Sequence, residues 1–175
     1  MVGLKTQGEG PWIPFNFLGI SEEQEPQALI LPVPYDSTTS YRSGTRHGPR
    51  AIIEASYNLE DYDIELDIDI SRIGLQTCPL LEPHMGSPES MMERVRRTVL
   101  TLARKDRLVG IIGGEHSISA GSVKAHKEVY SDLSVLYFDA HADLRDEYMG
   151  TRWGHASVAR RIHELCPLVL VGTRS

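Results

Sequence analysis

Two apolar runs, each ending in metal-seeking side chains, constrain this chain more than any other feature. Leu108-Val109-Gly110-Ile111-Ile112 leads into Gly113-Gly114-Glu115-His116, and Ser134-Val135-Leu136-Tyr137-Phe138 leads into Asp139-Ala140-His141-Ala142-Asp143. Short apolar runs bounded by glycine or polar residues read as buried strands. Between them, Ser117 to Tyr130 reads as a helix. Strands separated by helices call for a parallel sheet with helices packed against it. Open sheets of that kind place their ligand sites at the carboxyl ends of the strands. Side chains at i, i+2 and i+4 of an extended segment leave one face. That spacing brings Asp139, His141 and Asp143 together, and His116 joins them when the two strands lie close.

Two carboxylates packed side by side repel each other unless a cation or a proton compensates. His and Asp donors without a thiolate suit Mn²⁺, Fe²⁺ or Zn²⁺. The residues thus point to a metal-dependent hydrolase, although His116 by itself could simply open a helix. His155, just before an amphipathic stretch from Ala156 to Leu165, has two readings: a helix-start histidine, or an acid–base group at the rim of the site. His47, His84, His126 and His163 read as solvated. Gly113-Gly114 lacks the later glycines and lysine of a phosphate loop, and no serine or cysteine stands in a nucleophile elbow.

The rest of the chain continues the alternation. Ala28 to Val33 reads as a strand in which Pro32 implies an edge or a strand end. A polar loop from Pro34 to Gly48 follows, then Pro49 at a first helical turn with helix to Asn58. Asp61 to Ile70 alternates acid and apolar residues like one strand wet on one face. Ser87 and Pro88 open a helix with Met92, Val95, Val99 and Leu102 at helical spacing, closed by Arg104-Lys105. Leu168 to Val171 reads as a last buried strand, after which the chain stops with no covering helix.

With 175 residues, 41% of them hydrophobic, the chain can bury the core of one domain. A net charge of −6 from interspersed acids argues against a nucleic-acid partner. No apolar stretch approaches a membrane span, so no membrane partner is expected. Met1 to Pro14 lacks the pattern of a secretory signal, and Cys78 and Cys166 show no metal-ligand spacing. A cytoplasmic protein with reduced thiols is the expectation.

The same motifs carry a resemblance. Gly113-Gly114-Glu115-His116-Ser117 and Phe138-Asp139-Ala140-His141-Ala142-Asp143 resemble two signature motifs of the ureohydrolase family, the arginases and agmatinases. Tyr35-Asp36 and Gly44-Thr45-Arg46-His47-Gly48-Pro49 match that family's amino-terminal loop. Val171-Gly172-Thr173-Arg174-Ser175 resembles a strand end well before its carboxyl terminus. The resemblance implies a three-layer α/β/α sandwich with a mainly parallel sheet. Residues 1–175 would be the amino-terminal portion of a single ureohydrolase domain whose carboxyl half, with two further metal-binding aspartates, is missing.

It also implies two Mn²⁺ ions per active site, with His116 and Asp143 on one, His141 on the other and Asp139 bridging both. A metal-bridging hydroxide would attack the guanidinium carbon, and His155 matches the family's mobile proton-shuttling histidine. Urea would be a product. Asp146 and Glu147 stand where arginases carry small polar residues, which favours a substrate ending in an amine: agmatine, giving putrescine. A small guanidino substrate and a homo-oligomer are therefore expected. Guanidinobutyrase or arginase activity, or a non-catalytic metal-binding or subunit-interaction module, are the alternatives. Alone, this chain should hold at most one ion tightly and release no urea, because the second ion keeps only His141 and Asp139.

Overall fold

A computed structural model describes residues 15–20 and 25–175. The expectation concerning a signal at Met1 to Pro14 falls outside the described residues. Among the described residues, seven strands and four α-helices follow one another, alternating except at β2–β4: β1 (Ala28–Val33), α1 (Gly48–Ser56), β2 (Tyr62–Asp63), β3 (Ile68–Asp69), β4 (Leu75–Thr77), α2 (Pro88–Leu102), β5 (Leu108–Gly113), α3 (Ile118–Val129), β6 (Val135–Phe138), α4 (Val158–His163) and β7 (Leu168–Val171).

β1 is the middle of a parallel three-stranded sheet in the order β4-β1-β5. It advances to β4 in one direction, and the chain then returns past it to β5. Right-handed connections therefore put α1 on one face and α2 on the other. Leu31, Val33 and Tyr35 meet Met92, Val95 and Val99 of α2 and Ile118 of α3 in one buried cluster. α1 packs on β1 and β5 with Ile53 fully buried. This sheet thus has the expected three layers. Pro32 tolerates a central strand because its missing N–H faces the β4 side, where the ladder has already ended at Ile30↔Thr77.

β6 and β7 pair in parallel as a second, separate sheet. Tyr137 packs with Val158, Ala159, Ile162 and Cys166 beneath α4. The expectation that Ser134–Phe138 is a wholly buried strand fails on its other face. Leu136 is 59% exposed and Phe138 74%, with Val169 also bare. α2, α3 and α4 pack in sequence along the covered side, and among the described residues no helix covers the opposite side of β6 and β7.

Asp61–Ile70 is not one strand but a two-residue antiparallel hairpin, Tyr62↔Asp69 and Asp63↔Ile68. The Asp63 carboxylate accepts from the N–H groups of Glu65 and Leu66, each at 2.9 Å, and Asp67 adopts a positive φ of 54°. The acids that gave the alternation fold the turn instead of lining a wet face. Ser87 caps α2 as expected, accepting from Ser90 N at 3.1 Å. At the other end the Leu102 carbonyl is capped by the guanidinium of Arg107, not by Arg104-Lys105.

Candidate metal centre

The centre lies where β5 and β6 end. Beyond β5, Gly114 N donates to Val33 O at 3.2 Å and Glu115 N to Tyr35 O at 2.7 Å, laying the chain across the end of β1. Only glycine fits at 114, since a Cβ there would stand 2.0 Å from Tyr35 O. The next residue, His116, is thereby aimed over the sheet toward β6. Its Nδ1 lies 3.3 Å from Asp139 Oδ2 and 3.1 Å from Asp143 Oδ2.

Asp139 and Asp143 converge by a route other than the expected strand periodicity. β6 stops at Phe138, and the chain bends through Ala140 and His141. The Asp139 Oδ1 atom accepts from His141 N at 2.8 Å, and Asp143 takes a positive φ of 48°. A non-glycine residue held there is an energetic cost that functional sites tolerate. The bend turns His141 away: its side chain is 70% exposed, and its Nδ1 contacts Asp139 Oδ1 at 3.0 Å. The structure brings together His116, Asp139 and Asp143, with one ligand atom of each within 4.8 Å of the others. His141 stands beside this group, outside it.

Tyr137, on the buried face of β6, was not anticipated. Its ring stacks on His116 at 5.0 Å, its hydroxyl donates to Asp143 Oδ2 at 2.8 Å and lies 3.2 Å from His116 Nδ1. Burial alone would raise the Asp143 pKa. Hydrogen bonds from His116 and Tyr137 outweigh burial and hold the carboxyl below its ordinary value. The Tyr137 phenol is pushed up by burial and by Asp143. An imidazole nitrogen facing two half-buried carboxylates fits a divalent ion of the Mn²⁺, Fe²⁺ or Zn²⁺ kind. The ordered, ionised Asp143 could bind one without first losing a proton.

His155 begins a 3-10 turn, His155–Ser157, which satisfies the helix-start reading. It also lines a cleft of about 890 Å³ together with His116, Asp139, His141 and Asp143, which puts it at the rim of that group. Its Nε2 is 3.2 Å from Ser40 Oγ, its Nδ1 3.4 Å from Thr38 Oγ1, and Tyr148 meets its ring edge-on at 5.7 Å. The polar loop Pro34–Gly48, part of which carries the family resemblance, therefore forms one wall of the site. Asp36 anchors that loop by accepting from Gly44 N at 2.6 Å and Arg46 N at 3.1 Å and by pairing with the Arg46 guanidinium. Burial opposes its ionisation, but these bonds bring its pKa down to about 2.

Asp146 does not face the cleft as a free anion. Arg161 Nη2 at 2.6 Å and Arg152 Nη2 at 2.9 Å hold it and lower its pKa. Glu147 is exposed, while Arg145, stacked over Tyr148 at 5.1 Å, lines the cleft. His126, expected to be solvated, is half-buried with Nδ1 2.9 Å from Ser122 O.

Residues 26–175 match the arginase family profile. The chain is 39% identical over 146 residues to the N(1)-aminopropylagmatine ureohydrolase of Thermococcus kodakarensis, covering 82% of this chain and 49% of that protein. It is likewise 39% identical over 153 residues to the agmatinase of Pyrococcus horikoshii, covering 84% and 51% respectively. Among solved structures, the agmatine ureohydrolase of Thermoplasma volcanium superposes with a TM-score of 0.80 at 32% identity, over 86% of this chain and 51% of that one. The chain spans about half the length of the curated relatives it matches.

Proposed function

The chain belongs to the arginase family, and from that premise we propose that residues 1–175 are the amino-terminal portion of a single agmatinase-like ureohydrolase domain, hydrolysing agmatine to putrescine and urea. The observation that carries this reading is the convergence of His116, Asp139 and Asp143 at the strand ends. These three would hold one Mn²⁺, and His141 with the other oxygen of Asp139 would reach toward a second. Bound there, a divalent ion supplies the Lewis acidity that makes water a nucleophile near neutral pH and offsets charge on the substrate.

The chain's own residues do the rest. Tyr137 and His116 keep Asp143 ionised and oriented. His155, across the cleft, carries a proton at Nε2 to the departing amine. With Asp146 neutralised by two arginines, Glu147 is left as the acid for the substrate's far ammonium group. The free edges of β5 and β6 border one cleft of about 680 Å³, lined by Ile111, Leu136 and Phe138. That cleft supports the reading that further strands of the domain, with the remaining acidic ligands, complete the sheet between them. Free thiols at Cys78 and Cys166 fit a cytoplasmic enzyme, and we expect a homo-oligomer.

The test is urea release by the product of the gene's whole reading frame, offered agmatine, N1-aminopropylagmatine, guanidinobutyrate and arginine in turn. Agmatine should give the highest kcat/KM. His155→Ala should lower kcat on the order of a hundredfold with metal content intact, the usual scale for a general acid–base group. Metal binding without urea from any of the four substrates would establish the non-catalytic module instead.

A further inference from the structure

We propose that Glu115 and Thr38 form a relay that sets the tautomer of His155, holding its neutral ring with the proton on Nδ1 and the lone pair on Nε2. Glu115 is the starting point. Its side chain is buried, 3% exposed, at the turn that also delivers His116. Its Oε2 accepts from Ser37 N and Thr38 N, both at 2.6 Å, and its Oε1 accepts from Thr38 Oγ1 at 2.6 Å and from Ser117 Oγ. Four donors fill the lone-pair positions of the carboxylate. Such a group organises the loop around itself.

The consequence passes to Thr38. A hydroxyl has one proton to give, and Thr38 gives it to Glu115 Oε1. Toward His155 it can therefore only accept. It accepts from the backbone N–H of His155 at 3.1 Å, and the His155 Nδ1 atom faces the same oxygen at 3.4 Å. A contact between that oxygen and Nδ1 is a hydrogen bond only if Nδ1 carries the proton. Nε2 is then the basic atom in the neutral ring, with Ser40 Oγ 3.2 Å away as a donor. The partner of one imidazole nitrogen fixes the state of the other.

One more contact holds the ring, and a glycine brings its segment to Thr38. Tyr148 packs edge-on against it. At Gly154, a Cβ would lie 3.4 Å from Thr38 Oγ1 and 3.3 Å from Thr151 Cγ2, so glycine lets this segment come close to Thr38. Glu115 and Thr38 are positioning residues. Adjacent residues, Glu115 and His116, thereby order both sides of the cleft.

The inference rests on the reading of His155 as the proton carrier only for its catalytic meaning; the tautomer itself is measured without turnover. The experiment is nitrogen-detected NMR of the histidine rings in the 175-residue chain at about pH 8.5, some two units above the unperturbed imidazole value. The wild-type His155 should be mainly the Nδ1–H form. Thr38→Val should shift the ratio about fivefold or more toward Nε2–H, the scale of one hydrogen bond. Thr38→Ser should restore it. Glu115→Gln, which places an amide among four donors, should release the loop and broaden the His155 signals. A wild-type ring protonated on Nε2, or a ratio unmoved by Thr38→Val, overturns the relay. If the tautomer behaves as stated but His155→Ala leaves turnover of the whole enzyme unchanged, the acid–base role falls and the relay stands.

Discussion

The part of the molecule built on β1, β4 and β5 and the part built on β6 and β7 use the same βα units and finish differently. The first has helices on both faces and a loop bound down through Asp36 and Glu115. The second has helices on one face only, and Leu136, Phe138 and Val169 stand bare on the other. The site lies across the two: His116 comes from the first, Asp139 and Asp143 from the second. The turn around buried Glu115 thus fixes the position of His116, while Asp139 and Asp143 depend on Tyr137 and on the ion that would join both parts.

The contrast is most open to attack at Gly114. Gly114→Ala drives a Cβ into the Tyr35 carbonyl and displaces the chain that carries Glu115 and His116. The expected cost is about 3 kcal/mol or more in urea unfolding. Wild-type stability would show that the first part is not rigid at this turn. Truncating buried aliphatic residues then compares the two cores directly. Leu31→Ala, between sheet and helices, should cost about 4–5 kcal/mol, and Ile162→Ala nearer 2, because a half-covered ribbon collapses around the lost atoms more easily. Equal costs would erase the distinction.

Acid affects the first part through Asp36. Its folded pKa of about 2 lies below the ordinary 3.8, so its contribution to stability is present above pH 3.8 and is lost as pH falls through 2. Between pH 4 and 2 the wild type should lose stability that Asp36→Asn, weaker by on the order of 2 kcal/mol from the outset, no longer has to lose. Parallel acid profiles for the two proteins would refute the assignment. The smallest effect belongs to the bare face. Phe138→Thr should change stability by no more than about 0.5 kcal/mol while reducing dye binding and self-association through exposed apolar surface. A large destabilisation would mean that Phe138 is covered.

The alternation of strands and helices was legible because β1, β5, β6 and β7 are apolar runs and α2 carries both its cap and its spacing. β4 was missed: three residues, Leu75–Thr77, are too few to show a period. The Asp61–Ile70 alternation misled because its acids bond local N–H groups. Within the site, residue types were readable and geometry was not. Asp139 and Asp143 meet through a bend and a positive φ, which strand spacing does not encode, and the same bend leaves His141 exposed beside Asp139 and outside the three-residue group. Asp146 looked like a recognition acid because Arg161, fifteen positions later, is remote in sequence. Glu115 offered a signal that went unused: a carboxylate at a buried strand end must find donors, and the Ser- and Thr-rich loop at 37–40 was the nearest supply.

The central claim, that the two parts meet in one metal site, is tested most directly by calorimetric titration of the 175-residue chain with Mn²⁺. One equivalent should bind tightly and survive gel filtration, and Asp143→Asn should abolish that binding while the fold persists, because His116 and Asp139 alone give fewer than the three protein ligands usual for a catalytic metal. Two tightly bound equivalents, or one that Asp143→Asn leaves untouched, would contradict the account.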